Sequence, residues 1–386
     1  MKILHCCLGN FYIDNYGYQE NILPRIHKRQ GHDVTILAST ETMKNSAHLT
    51  YISPSFYYNE DEIPVKRIPY FKWLPAKITR KLRLYVGVSE YIKSVSPDVI
   101  FIHGLQFCSI KEIASYAKLH NQVKIYVDNH ADYVNSGNNW FSMNVLHKTI
   151  YKRCAKIIEP YTVKFYGTLP IRNRFLSEIY KIPLDKIDLL PLGVDLFNQE
   201  ENERKAIRKK IRQKLHIDSE DFIIITGGKI NRLKNIHLLI DAVNQINNKK
   251  IKLIVFGKIA PDMQEIITNS IENSKHILYI EWLDSSETSK YFIASDLAFF
   301  PGTHSVLWEE SIGLGIPGVF KRWKGIEHVD LGGNCILLDE VNIDTIKNEI
   351  IKLHTNKDIH NQMKEIATVK GPSYFSYEEI ARKSIQ

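Results

Sequence analysis

The sequence predicts an α/β protein built from two doubly wound domains, each a parallel sheet covered by helices. Three observations point there. Short apolar, strand-like runs alternate with segments of helical period in both halves of the chain. The strand-like runs are nearly continuous in apolar residues, as strands buried on both faces are. At 386 residues the chain is too long for one ordinary core and suits two. A composition of 44% hydrophobic and 24% charged residues excludes disordered and fibrous classes.

The opening KILHCCLG reads as a first strand rather than a secretory leader. QENILPRIHKRQG then has helical spacing and stops at Gly31, and HDVTILAS returns to strand. PDVIFIHG and KIYVDNH read as buried strands that end in polar residues or glycine. The second half repeats the pattern. DFIIITGG is followed by a helix in which Ile236, Leu239, Ile240, Val243 and Ile246 share a face; IKLIVFG, HILYIEWL and DLAFFPG follow as strands. Apolar residues give way to charge near LLPLGVDLFNQEENERK, which places a hinge around residues 193–203. The expected domains are 1–197 and 198–373, with a break at Gly371-Pro372 and a last helix, 374–386, crossing back to the first domain.

No apolar run approaches the roughly 20 residues that a membrane-crossing helix needs. The five cysteines are odd in number and have no zinc spacing, so free thiols in a reducing cytoplasm are expected and no metal. A net charge of +8 suits anionic small molecules, lipid headgroups or nucleic acid. Seven basic residues and no acidic one lie in KRIPYFKWLPAKITRKLR, with Tyr70, Phe71 and Trp73 interleaved. That mixture fits an anionic membrane surface through Lys77, Arg80, Lys81 and Arg83, and it also fits an ordinary basic helix face. No nucleic-acid motif accompanies it, so no nucleic-acid partner is expected.

In open α/β sheets ligands bind beyond the carboxyl ends of the strands, so polar residues at strand exits are the candidates. TGGKINRLKN leaves a strand and opens a helix. Gly228 permits a tight turn, while Lys229, Arg232 and Lys234 bring positive charge to a diphosphate; a solvated basic loop has the same composition. SVLWEESIGLGIPG reads as a short helix with Ser305 as N-cap and Gly315 as stop, and the helix dipole alone accounts for Glu309 and Glu310 in its first turn. VDNHADY gathers Asp128, His130 and Asp132 at an exit, where His130 suits proton exchange with a hydroxyl.

In the order GGKINRLKN, KLIVFG, YFIASDLAFFPG and EESIGLGIPG, after YGYQENILPRIHKRQGHDVTILAS, PDVIFIHG and LLPLGVD, the sequence resembles the family 4 glycosyltransferases, which have the GT-B fold. The resemblance implies two Rossmann-like domains facing a cleft, and transfer from a nucleotide sugar with retention of configuration and no metal or other cofactor. It puts Lys229 and Lys234 on the donor diphosphate and Glu310 on the ribose. Trp282 and Leu283 fall at the base, with core packing the other reading of Trp282. His130 falls beside the transferring sugar, with His103 a weaker strand-exit parallel, and Asp132 near the acceptor. Gly17, with Tyr16 and Tyr18, belongs to the glycine-bearing loop after the first strand. The family's first glutamate falls on Gly302, and His304 and Ser305 are candidates to replace its sugar contact. The implied acceptor is lipid-linked or an oligosaccharide, in bacterial surface-glycan synthesis at the cytoplasmic face of the membrane. A weakly active nucleotide-sugar-binding subunit is the alternative.

Overall fold

A computed structural model describes residues 1–44, 48–195, 200–272 and 274–386. The chain divides into two compact units, Met1–Pro191 with Ile380–Gln386, and Leu192–Glu379. The expected boundary at 197/198 lies outside the described residues.

The first unit is built on one sheet. In spatial order its strands are Ile187–Leu189, Thr162–Gly167, Lys124–Asn129, Val99–His103, Lys2–Cys7, Asp33–Ser39, Pro64–Ile68 and Ser55–Tyr58. All pairings are parallel except the last, where Ser55–Tyr58 runs antiparallel to Pro64–Ile68. The central strands are buried along almost their whole length, which explains their unbroken apolar runs. One face packs Ile100, Ile102, Val127 and Phe165 against Ile110 and Ile113 of the helix Ile110–Leu119. The terminal helix Tyr377–Ser384 is shorter than the expected 374–386. Its final residues belong to this unit, where Tyr126 and Tyr166 donate hydroxyl hydrogen bonds to the carbonyls of Gln386 and Lys383.

The second unit holds a fully parallel sheet ordered Ile277–Ile280, Ile251–Ile259, Phe222–Ile230, Leu297–Phe300, Gly318–Lys321 and Cys335–Leu338. Apolar side chains fill both its faces. Trp308 is fully buried and stacks on Phe320, ring centroids 4.7 Å apart. Burial of one such side chain contributes about 1.5–3 kcal/mol. The expected break at Gly371-Pro372 does not occur: Pro372 lies inside the helix Lys357–Phe375. Gly371 is needed because that helix crosses Leu307–Gly313 closely. A Cβ at 371 would sit 1.9 Å from the carbonyl oxygen of Ile312. The dipeptide that reads as a stop is a packing site.

Candidate active site

In the second unit the site grows from the exit of Phe222–Ile230. Gly228 has φ +99°, and a Cβ on Gly257 of the neighbouring strand would meet its carbonyl oxygen at 1.9 Å. The two strand ends touch backbone to backbone. Lys229 then points into solvent, and the chain enters a 3₁₀ turn, Arg232–Lys234, before the helix Ile236–Ile246. Asn235, at the junction, takes the left-handed conformation that asparagine tolerates.

This turn is zipped to the loop after Leu297–Phe300. Thr303 N–H donates to the Leu233 carbonyl at 3.0 Å. Lys234 Nζ donates to the carbonyls of Thr303 and His304, each at 2.8 Å, and Asn235 Nδ2 to that of Pro301 at 3.1 Å. Burial pushes the Lys234 ammonium down to about 8. Gly302 lies at the contact: a Cβ there would be 2.3 Å from Lys234 Cα and 2.4 Å from the Leu233 carbonyl oxygen. The position where the family resemblance calls for a glutamate has no room for any side chain.

The helix Leu307–Gly313 starts one residue later than expected. Val306 is its N-cap, and Ser305 contributes only its backbone carbonyl, which accepts from Trp308 N–H at 3.0 Å. The Ser305 capping role is therefore corrected, because its side chain makes no cap bond.

The two glutamates of this helix differ sharply. Glu309, which the dipole alone accounted for, is fully buried. Its carboxylate accepts from His304 Nε2 at 2.8 and 3.0 Å and from His328 Nε2 at 3.0 Å. Burial would raise its pKa, but His304 first and His328 next outweigh it and bring the carboxyl down to about 2. Glu310, 8% exposed, has among the described residues only Ser289 Oγ as a donor, at 3.1 Å, and burial pushes its carboxyl up to about 7. One is a locked anion; the other is poised to ionise when a hydroxyl ligand supplies more donors. Trp282 is 68% exposed, which rules out core packing, whereas Leu283 packs partly on the core.

In the first unit the exits of Val99–His103 and Lys124–Asn129 meet. The buried Asp128 carboxylate accepts from His103 Nδ1 at 2.7 Å and Gly104 N–H at 3.0 Å. His130 follows, its side chain 25% exposed and its Nε2 3.6 Å from Asp128 Oδ2. Burial works against a charged His130, yet the Asp128 carboxylate outweighs it and raises the pKa. Asp132 is otherwise occupied. It accepts from the backbone N–H groups of Val134 and Asn135, both at 2.8 Å, and from Arg172 Nε at 3.2 Å. It shapes the turn after His130 rather than offering a free base. In the loop after the first strand, a Cβ on Gly17 would meet nothing, and the Tyr16 and Tyr18 rings lie 5.0 Å apart.

The basic aromatic segment is largely exposed on this unit. Trp73 is 89% exposed, Leu74 and Ile78 are exposed beside it, and Lys77, Arg80 and Lys81 project from the helix Ala76–Leu82. Arg80 and Arg83 are partly engaged, their guanidinium groups over the rings of Tyr51 and Phe11 at 3.8 and 5.4 Å. Among the described residues no helix is long and apolar enough to cross a membrane, and no cluster of His, Cys, Asp or Glu has the arrangement of a metal site.

Sequence reasoning missed the partners that give these side chains their character. His328 and Ser289 lie far along the chain from the glutamates they bind, and His5 and His27 sit in segments that read as plain strand and helix. No spacing signal announces them.

The two units, each a parallel sheet covered by helices, give the chain the GT-B fold that the resemblance implies. Residues 207–370 match the family Glycosyl transferases group 1. No curated protein sequence matches the chain. Among solved structures it is similar to a glycosyltransferase from Rickettsia africae, at 15% identity and TM-score 0.68, over 99% of this chain and 96% of that one. It is similar to Anabaena Alr3699/HepE in complex with UDP, at 15% identity and TM-score 0.64, over 99% and 98%. It is also similar to the UDP-GlcNAc 2-epimerase of Neisseria meningitidis bound to UDP-GlcNAc, at 13% identity and TM-score 0.58, over 99% and 98%. The fold thus serves both transfer and epimerisation, and chemistry must be argued from the site.

Proposed function

We propose that the chain is a retaining glycosyltransferase that moves a hexosyl or N-acetylhexosaminyl group from a nucleotide sugar to a lipid-linked or oligosaccharide acceptor in bacterial surface-glycan synthesis. The observation that carries the reading is the second unit's arrangement of Lys234, the Gly302 contact and Glu310, within the segment that matches group 1 glycosyl transferases. Lys229 and Lys234, with the Gly228 turn and Arg232, neutralise the leaving diphosphate in place of a metal ion. Glu310 accepts from the ribose hydroxyls, and the exposed Trp282 covers the base with Leu283 beside it.

His304 takes over the sugar contact that Gly302 cannot make. Glu309, whose carboxylate His328 also holds, accepts from its Nε2, which leaves Nδ1 for a hydroxyl. In the first unit His130 exchanges a proton with, or hydrogen-bonds, a hydroxyl of the transferring sugar. The acceptor hydroxyl attacks on the face the diphosphate leaves, and the departing phosphate takes its proton, so no enzymic nucleophile is required. Gly17 approaches the donor phosphates, and Tyr16 and Tyr18 line the acceptor side. Trp73 and its lysines dock the protein on an anionic membrane at the cytoplasmic face.

The test is a thermal-shift screen of nucleotide sugars followed by turnover with lipid acceptor. A true donor raises Tm by mass action and releases nucleoside diphosphate only when acceptor is present. Stabilisation without turnover on any acceptor favours the binding-subunit reading, and epimerised sugar with no transfer overturns the proposal.

A further inference from the structure

Behind His130 the first unit buries a continuous chain of imidazoles. His103 donates from Nδ1 to Asp128 at 2.7 Å. Its Nε2 lies 3.0 Å from His5 Nδ1, and His5 Nε2 lies 3.0 Å from His27 Nδ1. His27 Nε2 ends the chain 3.0 Å from the Ala381 carbonyl and 3.2 Å from Ser384 Oγ. His5, His27, His103, Asp128 and Ser384 are all fully buried. The first strand, its following helix, two further strands and the terminal helix each contribute a member.

Counting protons gives the chain two states. Its ends, a carboxylate and a carbonyl, only accept, and three neutral imidazoles supply three N–H groups for four hydrogen bonds. In the first state every histidine carries its proton on Nδ1, directed toward Asp128, and the Ser384 hydroxyl, 2.8 Å from the Ala381 carbonyl, turns from it to donate to His27 Nε2 at 3.2 Å, so the contact of that nitrogen with the carbonyl is left without a proton. In the second state one proton has been taken up from water. His27 donates from Nε2 to Ala381, His5 carries its proton on Nε2, and His103 carries two, an imidazolium against the Asp128 carboxylate.

We propose that His5, His27 and His103 are positioning residues for His130: the proton stored on this relay and the proton on His130 compete for the single carboxylate of Asp128. The role in sugar transfer rests on the reading of His130 above; the competition itself does not. In the first state Asp128 is an anion that His130 alone neutralises. In the second it is already paired, and its hold on His130 weakens. Burial first, then mutual repulsion among the rings, lowers the proton affinity of His5; burial brings His27 to about 4. With three neutral imidazoles the relay is in its first state, and uptake of one proton on acidification loads the second. Other groups face the pair as well. Glu20 favours a charged His130 and Arg172 opposes it. Cys7 lies beside Asp128, and the His32 ring is 6.0 Å from that of His27.

The experiment is imidazole nitrogen NMR of the full chain labelled at histidine, titrated with acid. His5 is expected to switch from Nδ1–H to Nε2–H without becoming doubly protonated. Replacing the competitor by His130→Gln should move that switch up by about one pH unit, a tenfold gain in proton affinity, and Asp128→Asn should abolish it. A His5 that keeps one tautomer throughout, or a switch that His130→Gln leaves in place, overturns the competition. In turnover assays His27→Leu should displace the acid limb of kcat to lower pH by about one unit with KM for the donor unchanged. An unmoved acid limb beside an altered switch overturns the positioning role alone. Absence of transfer with every donor defeats the proposed function and leaves the NMR result standing. Should His27→Leu fail to fold, the wild-type and His130→Gln spectra decide the matter.

Discussion

Gly302 and Lys234 meet backbone to backbone: a Cβ on the glycine would lie 2.3 Å from Lys234 Cα. The loop cannot easily retreat, because the Thr303 amide and the Lys234 ammonium tie it to the turn. Gly302→Glu should therefore fail to restore the family's acid. It should instead destabilise the second unit by about 1–3 kcal/mol or more, as overpacked sites do, and weaken donor binding. Calorimetric Tm and titration with the best donor check this. Tighter binding at an unchanged Tm would show that the loop has room after all.

Glu310 should make donor affinity depend on pH. Its carboxyl sits at about 7 through burial, and it binds ribose hydroxyls as the anion. Nucleotide affinity should rise as pH rises through 7 and fall below it, approaching about tenfold per pH unit. Glu310→Gln should lower affinity and flatten the profile, measured by isothermal titration on both sides of neutrality. The stability consequence has the opposite sign. A carboxyl whose folded pKa is raised contributes most below its unfolded value, about 4.3, and that contribution is lost as pH rises through the folded value.

Glu309 behaves in the reverse way. His304 and His328 outweigh burial and hold its carboxyl at about 2, so its contribution is fully present above the unfolded value and declines as pH falls toward 2. Glu309→Gln, which keeps an acceptor oxygen but removes the buried charge facing His304 and His328, should cost about 1–3 kcal/mol near neutral pH. The difference from wild type should shrink as pH drops from about 5 to about 2. Urea unfolding at several pH values measures it, and a pH-independent difference would remove the account based on the Glu309 charge.

Trp73 should anchor the protein to anionic vesicles. It is 89% exposed beside Leu74 and Ile78, and Lys77 and Lys81 project from the same region. Trp73→Ala with Lys77→Ala and Lys81→Ala should reduce binding to phosphatidylglycerol vesicles, each lysine contributing about 1 kcal/mol, and leave nucleotide affinity unchanged. These lysines are preferred to Arg80 and Arg83, whose stacking on Tyr51 and Phe11 ties them to the fold. Equal loss of vesicle and nucleotide binding argues against a separate membrane surface.

The strand order within each unit was not legible, but the strands were. KIYVDNH and DFIIITGG announce themselves because a strand buried on both faces has nowhere to put polar residues until it exits the sheet. For the same reason Asp128, His130 and Lys229 could be found at the exits. Gly371-Pro372 misled because local propensity favours a stop there, whereas the close crossing of Leu307–Gly313 requires the small residue within a continuing helix.

The stretch WEES marks the limit. By itself the sequence determined that two glutamates open a short helix five residues or so before a Gly-x-Pro stop, since dipole and spacing are local properties. Only tertiary structure decided their charges. Those depend on which distant side chains reach them in a medium that screens poorly: His304 and His328 for Glu309, a single serine hydroxyl for Glu310. The relay behind His130 has the same origin. His5, His27 and His103 are ordinary residues of strands and a helix until the fold brings their ring nitrogens to 3.0 Å, the contact on which the proposed relay rests.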